Sequence, residues 1–181
     1  MKKFIVTLLL IFFVTGCSLA KDLDNTPTKK VEALLNNYQT LDSSVISDLN
    51  EVVDEETNFT DAQKDTYKSI IKKNYQKLTY IIKDAVEDGD EATVTAEIEV
   101  VDYTKVLNDS AVYLNEHPED FETDGKYDDN KYLDYQLEQL KETKDKVTYT
   151  VDFTLTKVDE EWTVDGLTKE IRNKINGTYV K

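Results

Sequence analysis

The chain opens on two lysines followed by an almost unbroken apolar run over residues 4–14 (FIVTLLLIFFV). A membrane-spanning helix needs about 20 apolar residues, so this run is too short to span and has the length of a secretion signal's hydrophobic region. Residues 18–25 are polar and without period. Helical spacing then begins: Val31, Leu34, Leu35, Tyr38 and Leu41 share one face. Thr26 is the expected N-cap and Pro27 the first helical residue. Asp42-Ser43-Ser44 breaks and recaps the chain ahead of a second amphipathic run through Val45, Ile46, Leu49, Val52 and Val53. Thr60 and Gln63 form a capping box for a third helix, which carries Tyr67, Ile70, Ile71 and Tyr75 on one side.

Around Lys77 the period changes from 3.6 to 2. Residues 78–86 are rich in β-branched and aromatic side chains, and Asp88-Gly89 signals a hairpin. Residues 91–102 alternate, with Ala92, Val94, Ala96, Ile98 and Val100 on one face and Thr93, Thr95, Glu97 and Glu99 on the other. Such alternation predicts a strand with one buried and one wet face. Helical spacing returns at Val106, Leu107, Ala111 and Leu114. An acidic loop with Pro118 and Gly125 follows over 117–129, then a helix over 130–145 with Leu133, Leu137 and Leu140 inward. Residues 146–157 alternate again, placing Val147, Tyr149, Val151, Phe153 and Leu155 opposite four threonines and Asp152. Asp159-Glu160 turns the chain into a last strand with Trp162 and Val164 on one face. A short helix from Thr168 ends at Gly177.

These elements predict an α+β fold: N-terminal helices packed on a curved, mainly antiparallel four-stranded sheet, with a helical insertion between strands 2 and 3 at about 103–145. The expected organisation is a signal at 1–16, a tether at 17–25 and one domain at 26–181. The tether reaches at most about 28 Å when fully extended.

The apolar run ends in Val14-Thr15-Gly16-Cys17, and Cys17 is the only cysteine in the chain. This resembles the lipobox of bacterial lipoproteins: an aliphatic residue, a small residue, Gly or Ala, then Cys. The resemblance implies cleavage between Gly16 and Cys17 and a diacylglyceryl thioether, with palmitate-type chains, on the Cys17 sulfur. Two acyl chains anchor a protein stably where one does not. The implied partner is thus the membrane, through Cys17, and the implied place is the outer face of a bacterial cell membrane.

Charge narrows the partners further. The full chain has 37 acidic and 22 basic residues, and loss of Lys2 and Lys3 with the signal leaves a net charge of −17. Such a surface repels phosphate backbones, which excludes nucleic acid as a partner. It also repels anionic headgroups, so the domain is tethered to the membrane rather than lying on it. Lysine outnumbers arginine 21 to 1, a habit of AT-rich genomes that tilts the source toward Gram-positive bacteria.

Three helices followed by a four-stranded meander interrupted by helices resembles the cone-shaped domain of the nuclear transport factor 2-like superfamily, close in shape to cystatins. The likeness rests on Thr26-Pro27-Thr28-Lys29-Lys30-Val31, on Asp88-Gly89-Asp90 with Ala92-Thr93-Val94-Thr95, and on Val147-Thr148-Tyr149-Thr150-Val151 with Glu161-Trp162-Thr163-Val164-Asp165. A plain layer of helices on a sheet is the alternative. The resemblance implies a concave pocket, which enzymes of the superfamily furnish with Asp and His. The single histidine here, His117, falls in a loop before Pro118, so no catalytic residue carries over.

Other chemistry is sparse. Asp120, Glu122, Asp124, Gly125 and Asp128 fall near positions 1, 3, 5, 6 and 9 of a calcium loop, but position 12, where a bidentate Glu belongs, is Lys131. They are weak metal candidates. Glu97 and Glu99 are paired-looking carboxylates, as a glycosidase would need, but they alternate with threonines on a wet strand face. Tyr127, Tyr132 and Tyr135 cluster beside acidic residues and suit protein or glycan contacts, or packing of the insertion. Tyr80, Tyr149, Phe153 and Trp162 are candidates to line a cone pocket or to fill a core. No phosphate loop, G-x-S-x-G, paired Cys or HExxH is present. The sequence therefore predicts a non-catalytic ligand- or partner-binding lipoprotein that needs no cofactor. The alternatives are a hydrolase or isomerase using pocket carboxylates, and a calcium-responsive surface protein.

Overall fold

The computed structural model describes residues 24–180. The signal, Gly16 and Cys17 lie outside the described residues. Among the described residues the fold is α+β, with the six helices named below and an open four-stranded antiparallel sheet. Helices α1 (Pro27–Thr40), α2 (Ser43–Asp54) and α3 (Asp61–Lys77) precede strands β1 (Thr79–Asp88) and β2 (Glu91–Val101). Next come α4 (Tyr103–Glu116), a 3-10 turn (Pro118–Phe121), a miniature hairpin of β3 (Glu122–Thr123) and β4 (Lys126–Tyr127), and α5 (Asp129–Glu142). Strands β5 (Lys146–Val158) and β6 (Glu161–Val164) and helix α6 (Lys169–Asn176) complete the chain.

Local chemistry explains the boundaries. The Thr26 hydroxyl accepts the Lys29 N–H ahead of Pro27. At the start of α3 the capping box is complete: Gln63 N–H donates to the Thr60 hydroxyl at 3.3 Å, and Thr60 N–H donates to the Gln63 side chain at 2.9 Å. Asp42, Asp102, Asp128 and Thr168 cap the other helices, each side chain accepting one first-turn N–H.

The main sheet has the order β1-β2-β5-β6, a meander with the α4–α5 insertion between its second and third strands. The register sets Val94 against Phe153, Ala96 against Val151 and Ile98 against Tyr149. Those inward pairs are buried against Val31 and Leu35 of α1, Ile70, Ile71 and Tyr75 of α3, and Ile175 of α6. Each alternating sequence run thus becomes one buried face. The other face carries threonines and charges.

Three details go beyond what the sequence pattern conveys. Strand β1 does not keep one phase: its register shifts between Ile82 and Asp84, and the extra residue turns Val86 outward while Ile81 is also exposed. Bulges of this kind are common on edge strands, where they twist a free edge away from neighbours. The acidic loop at 117–129 folds back on itself, with Asp124 and Gly125 at φ +53° and +72° closing the β3–β4 hairpin. Asn25, at the end of the expected tether, is bonded to the β5–β6 turn. Its side chain donates to the Glu160 carbonyl at 2.7 Å and accepts the Trp162 N–H at 3.0 Å.

Candidate functional site

The insertion packs on α3, and sequence reading missed the residue that ties the two together. Gln63 is buried, and after completing the capping box its amide still donates to the Asp134 carboxylate at 2.9 Å and reaches the Asn130 carbonyl at 3.4 Å. Its sequence signal was only a helix-start motif. The tertiary role follows from where α5 docks.

Between α3, α4, α5 and the α2–α3 loop lies an apolar cavity of about 220 Å³. Phe59, Tyr67, Tyr103, Leu107, Leu137 and Leu140 form most of its wall, with Glu56 and Gln136 as polar neighbours. Tyr67 meets Phe59 edge-to-face at 5.8 Å. The Tyr103 hydroxyl donates to the Ile70 carbonyl at 3.3 Å. Burial pushes the phenols of Tyr67 and Tyr103 above their ordinary value. The wall is therefore uncharged at physiological pH apart from Glu56 at its edge. Helical spacing had marked Tyr67, Leu107, Leu137 and Leu140 as inward. It could not show that two helical faces of the insertion meet α3 without filling the space between them.

The sequence candidates are dispersed. Tyr149 and Trp162, at 6% and 5% exposure, belong to the hydrophobic core. Phe153 is fully buried. Tyr132 and Tyr135 join an aromatic cluster within the insertion: Tyr135 stacks on Tyr113 at 5.0 Å, and Tyr132 meets buried Phe121 edge-on at 5.3 Å. His117 lies over the Tyr113 ring at 4.5 Å. Tyr127 alone of the three insertion tyrosines is exposed, at 51%.

The acidic candidates have other occupations. Asp120 accepts the Tyr113 hydroxyl at 2.7 Å. Asp128 accepts the Thr123 hydroxyl at 2.7 Å and caps α5, and these bonds hold its carboxyl below the usual range. Lys131 donates to the Glu122 carbonyl at 2.6 Å, placing a cation where a calcium loop needs a carboxylate. Asp124 sits in the hairpin turn. Among the described residues no three His, Cys, Asp or Glu side chains gather closely enough to hold a metal ion. Glu97 and Glu99 face outward, each beside a lysine: Lys83 at 3.6 Å and Lys146 at 2.6 Å.

Among the described residues no helix is long and apolar enough to cross a membrane. No curated protein matches the chain, and no solved structure does. The model of the prokaryotic membrane lipoprotein lipid attachment site matches residues 1–18, the stretch that ends in Gly16, Cys17 and Ser18. The N-terminus is thus that of a bacterial lipoprotein anchored to the membrane by its lipid.

Proposed function

We propose that the domain is a non-catalytic binding module held at the outer face of the cell membrane of a Gram-positive bacterium, and that it binds a small apolar ligand between α3 and the insertion. The observation that carries this reading is the cavity of about 220 Å³ walled by Phe59, Tyr67, Tyr103 and four leucines. An apolar cavity of about 150 Å³ accommodates a benzene-sized guest, so this one suits a single aromatic ring or a short acyl segment. Apart from tyrosine phenols, the buried polar side chains among the described residues are Gln63, Asn74 and Ser110, so no carboxylate, imidazole or amine is among them. That inventory favours binding over acid–base chemistry. Helices on an open four-stranded meander support a relationship to the cystatin-like cone fold, although the cavity lies beneath the insertion rather than inside the sheet.

Indole is a suitable probe. Saturable binding that raises the melting temperature of the domain, and that is lost in a cavity-filling Leu107→Trp variant, is the expected result. If indole and short-chain fatty acids leave the melting temperature of the wild-type domain unchanged at saturating concentration, the reading fails.

A second reading, contact with a protein or glycan through the rim of the insertion, draws support from the exposed Tyr127 beside Glu122, Asp124 and Asp129. Tyr127→Ala would abolish such binding and leave the cavity's affinity for indole intact.

A further inference from the structure

The point at which the chain enters the domain is fixed. Asn25 is bonded to the β5–β6 turn through the Glu160 carbonyl and the Trp162 N–H. Lys30 of α1 pairs with Glu161 of the same turn. The β1–β2 turn lies beside it, since Lys157 N–H donates to the Asp90 carbonyl at 2.8 Å. Both hairpin turns and the entry point therefore share one pole of the sheet. At the other pole, Val101 pairs with Lys146, Asp102 N–H donates to the Asp145 carbonyl, and the two roots of the insertion meet. The two poles are separated by the length of β2, eleven residues or about 33 Å.

Eight residue steps separate Asn25 from Cys17. Their covalent reach is at most about 28 Å. The lipid thus keeps the hairpin pole near the bilayer while the opposite pole has no link to it.

We infer that the two hairpin turns form the membrane-facing pole, opposed to the lipid surface that holds Cys17, and that the roots of the insertion are held at the opposite pole, away from the bilayer. The inference rests on lipidation at Cys17 and is independent of what the cavity binds.

The test uses the full lipidated chain in vesicles of phosphatidylcholine and phosphatidylglycerol with an energy acceptor in the headgroups. The Cys17 sulfur is blocked by its thioether, so one introduced cysteine is the sole thiol available for a donor dye. Asp90→Cys marks the hairpin pole and Lys144→Cys the opposite pole, both on exposed side chains. Transfer should be at least about threefold stronger from position 90, given the pole separation of one strand length. Inserting a Gly/Ser segment of about 20 residues after Lys21 should narrow the difference, because the average span grows with the square root of length. Equal or reversed transfer in the natural-length chain overturns the inference, as does a difference that the longer tether leaves unchanged. Loss of vesicle binding in Cys17→Ala, measured alongside, separates failure of anchoring from failure of orientation.

Discussion

The side-chain carbonyl of Asn74 in α3 accepts the backbone N–H of Val101, the last residue of β2, at 2.9 Å. The same side chain donates to the Ile175 carbonyl near the end of α6 at 3.1 Å. Asn74 is fully buried, so one amide closes the end of a strand and the end of a helix from two distant parts of the chain. An isosteric apolar residue would leave two buried backbone groups without partners. Asn74→Leu should therefore destabilise the domain by about 2–4 kcal/mol. Urea unfolding of the two proteins measures the difference, and a loss below about 1 kcal/mol would show that the Val101 and Ile175 groups find other partners.

The same junction depends on Gly177. It ends α6 at φ +75°, and its carbonyl accepts the N–H groups of Tyr103 and Thr104 at 2.9 and 3.0 Å. A Cβ at this position would run into the Val101 carbonyl. Gly125 has a similar φ of +72° and open space around it. Gly125→Ala should cost about 1 kcal/mol, the conformational strain alone, and Gly177→Ala at least about 2 kcal/mol because backbone must also move. Comparable losses in thermal melts of the two variants would contradict the close approach.

The difference between those two glycines marks how far sequence reading reached. Period-2 alternation at 91–102 and 146–157 identified the buried faces of β2 and β5, because each sheet face is set by residue parity. Helix starts were legible at Thr26, Thr60 and Thr168, because a cap is local chemistry between residues three apart. What Asn74, Gln63 and Asn25 do was not legible. Each bonds a residue 27 to 137 positions away, and a polar side chain carries no mark of a partner so distant. The cavity escaped for a related reason. Helical spacing shows that Leu107 and Leu137 point inward, but packing of α3, α4 and α5 decides whether their faces meet.

The β5–β6 turn holds strain that can be relieved. Asp159 and Glu160 have φ of +50° and +65°, the geometry of a two-residue turn that ordinarily selects Asn-Gly. Only glycine takes such angles freely. The Glu160 side chain is almost fully exposed and pairs only with Lys157 at 3.2 Å, a contact of little energetic weight. Glu160→Gly should raise stability by about 0.5–1 kcal/mol, the strain relieved less the entropy glycine adds to the unfolded chain. The Asn25 bond to residue 160 is to its backbone and survives the change. A lower melting temperature in this variant would mean that the turn is not a strained one.

Ser110 of α4 is buried, and its hydroxyl is the one buried side-chain polar atom among the described residues without a hydrogen-bond partner. A buried hydroxyl without a bond costs about 1–3 kcal/mol. Alanine removes the hydroxyl and improves helix propensity by a few tenths of a kcal/mol, about 0.5 at most. Ser110→Ala should be neutral or stabilising, in contrast to most buried substitutions, and differential scanning calorimetry would detect the sign. A clear drop in melting temperature would assign the hydroxyl a partner.

Alkali should unfold the domain through its tyrosines. Burial, the leading cause in each case, holds the phenols of Tyr38, Tyr67, Tyr75 and Tyr103 above their ordinary value of 10.0. Tyr75 is further engaged, donating its hydroxyl to the Asn176 side chain at 2.8 Å. A phenol whose folded pKa exceeds its unfolded one contributes stability that is fully present below the unfolded value. That stability is lost as pH rises through the folded value, because the unfolded chain releases its proton first. Stability should therefore be unaffected by these groups up to about pH 9 and fall with increasing slope above pH 10, with several tyrosines contributing at once. Tyrosinate absorbance should then rise in two stages, a gradual one from exposed residues such as Tyr127 and a steep one coincident with loss of helical circular dichroism. Tyr75→Phe should flatten the alkaline slope by the share of one group. A single gradual titration of all eleven tyrosines, with helicity intact throughout, would show that the phenols packed between α1, α3 and α4 are open to water in the native state.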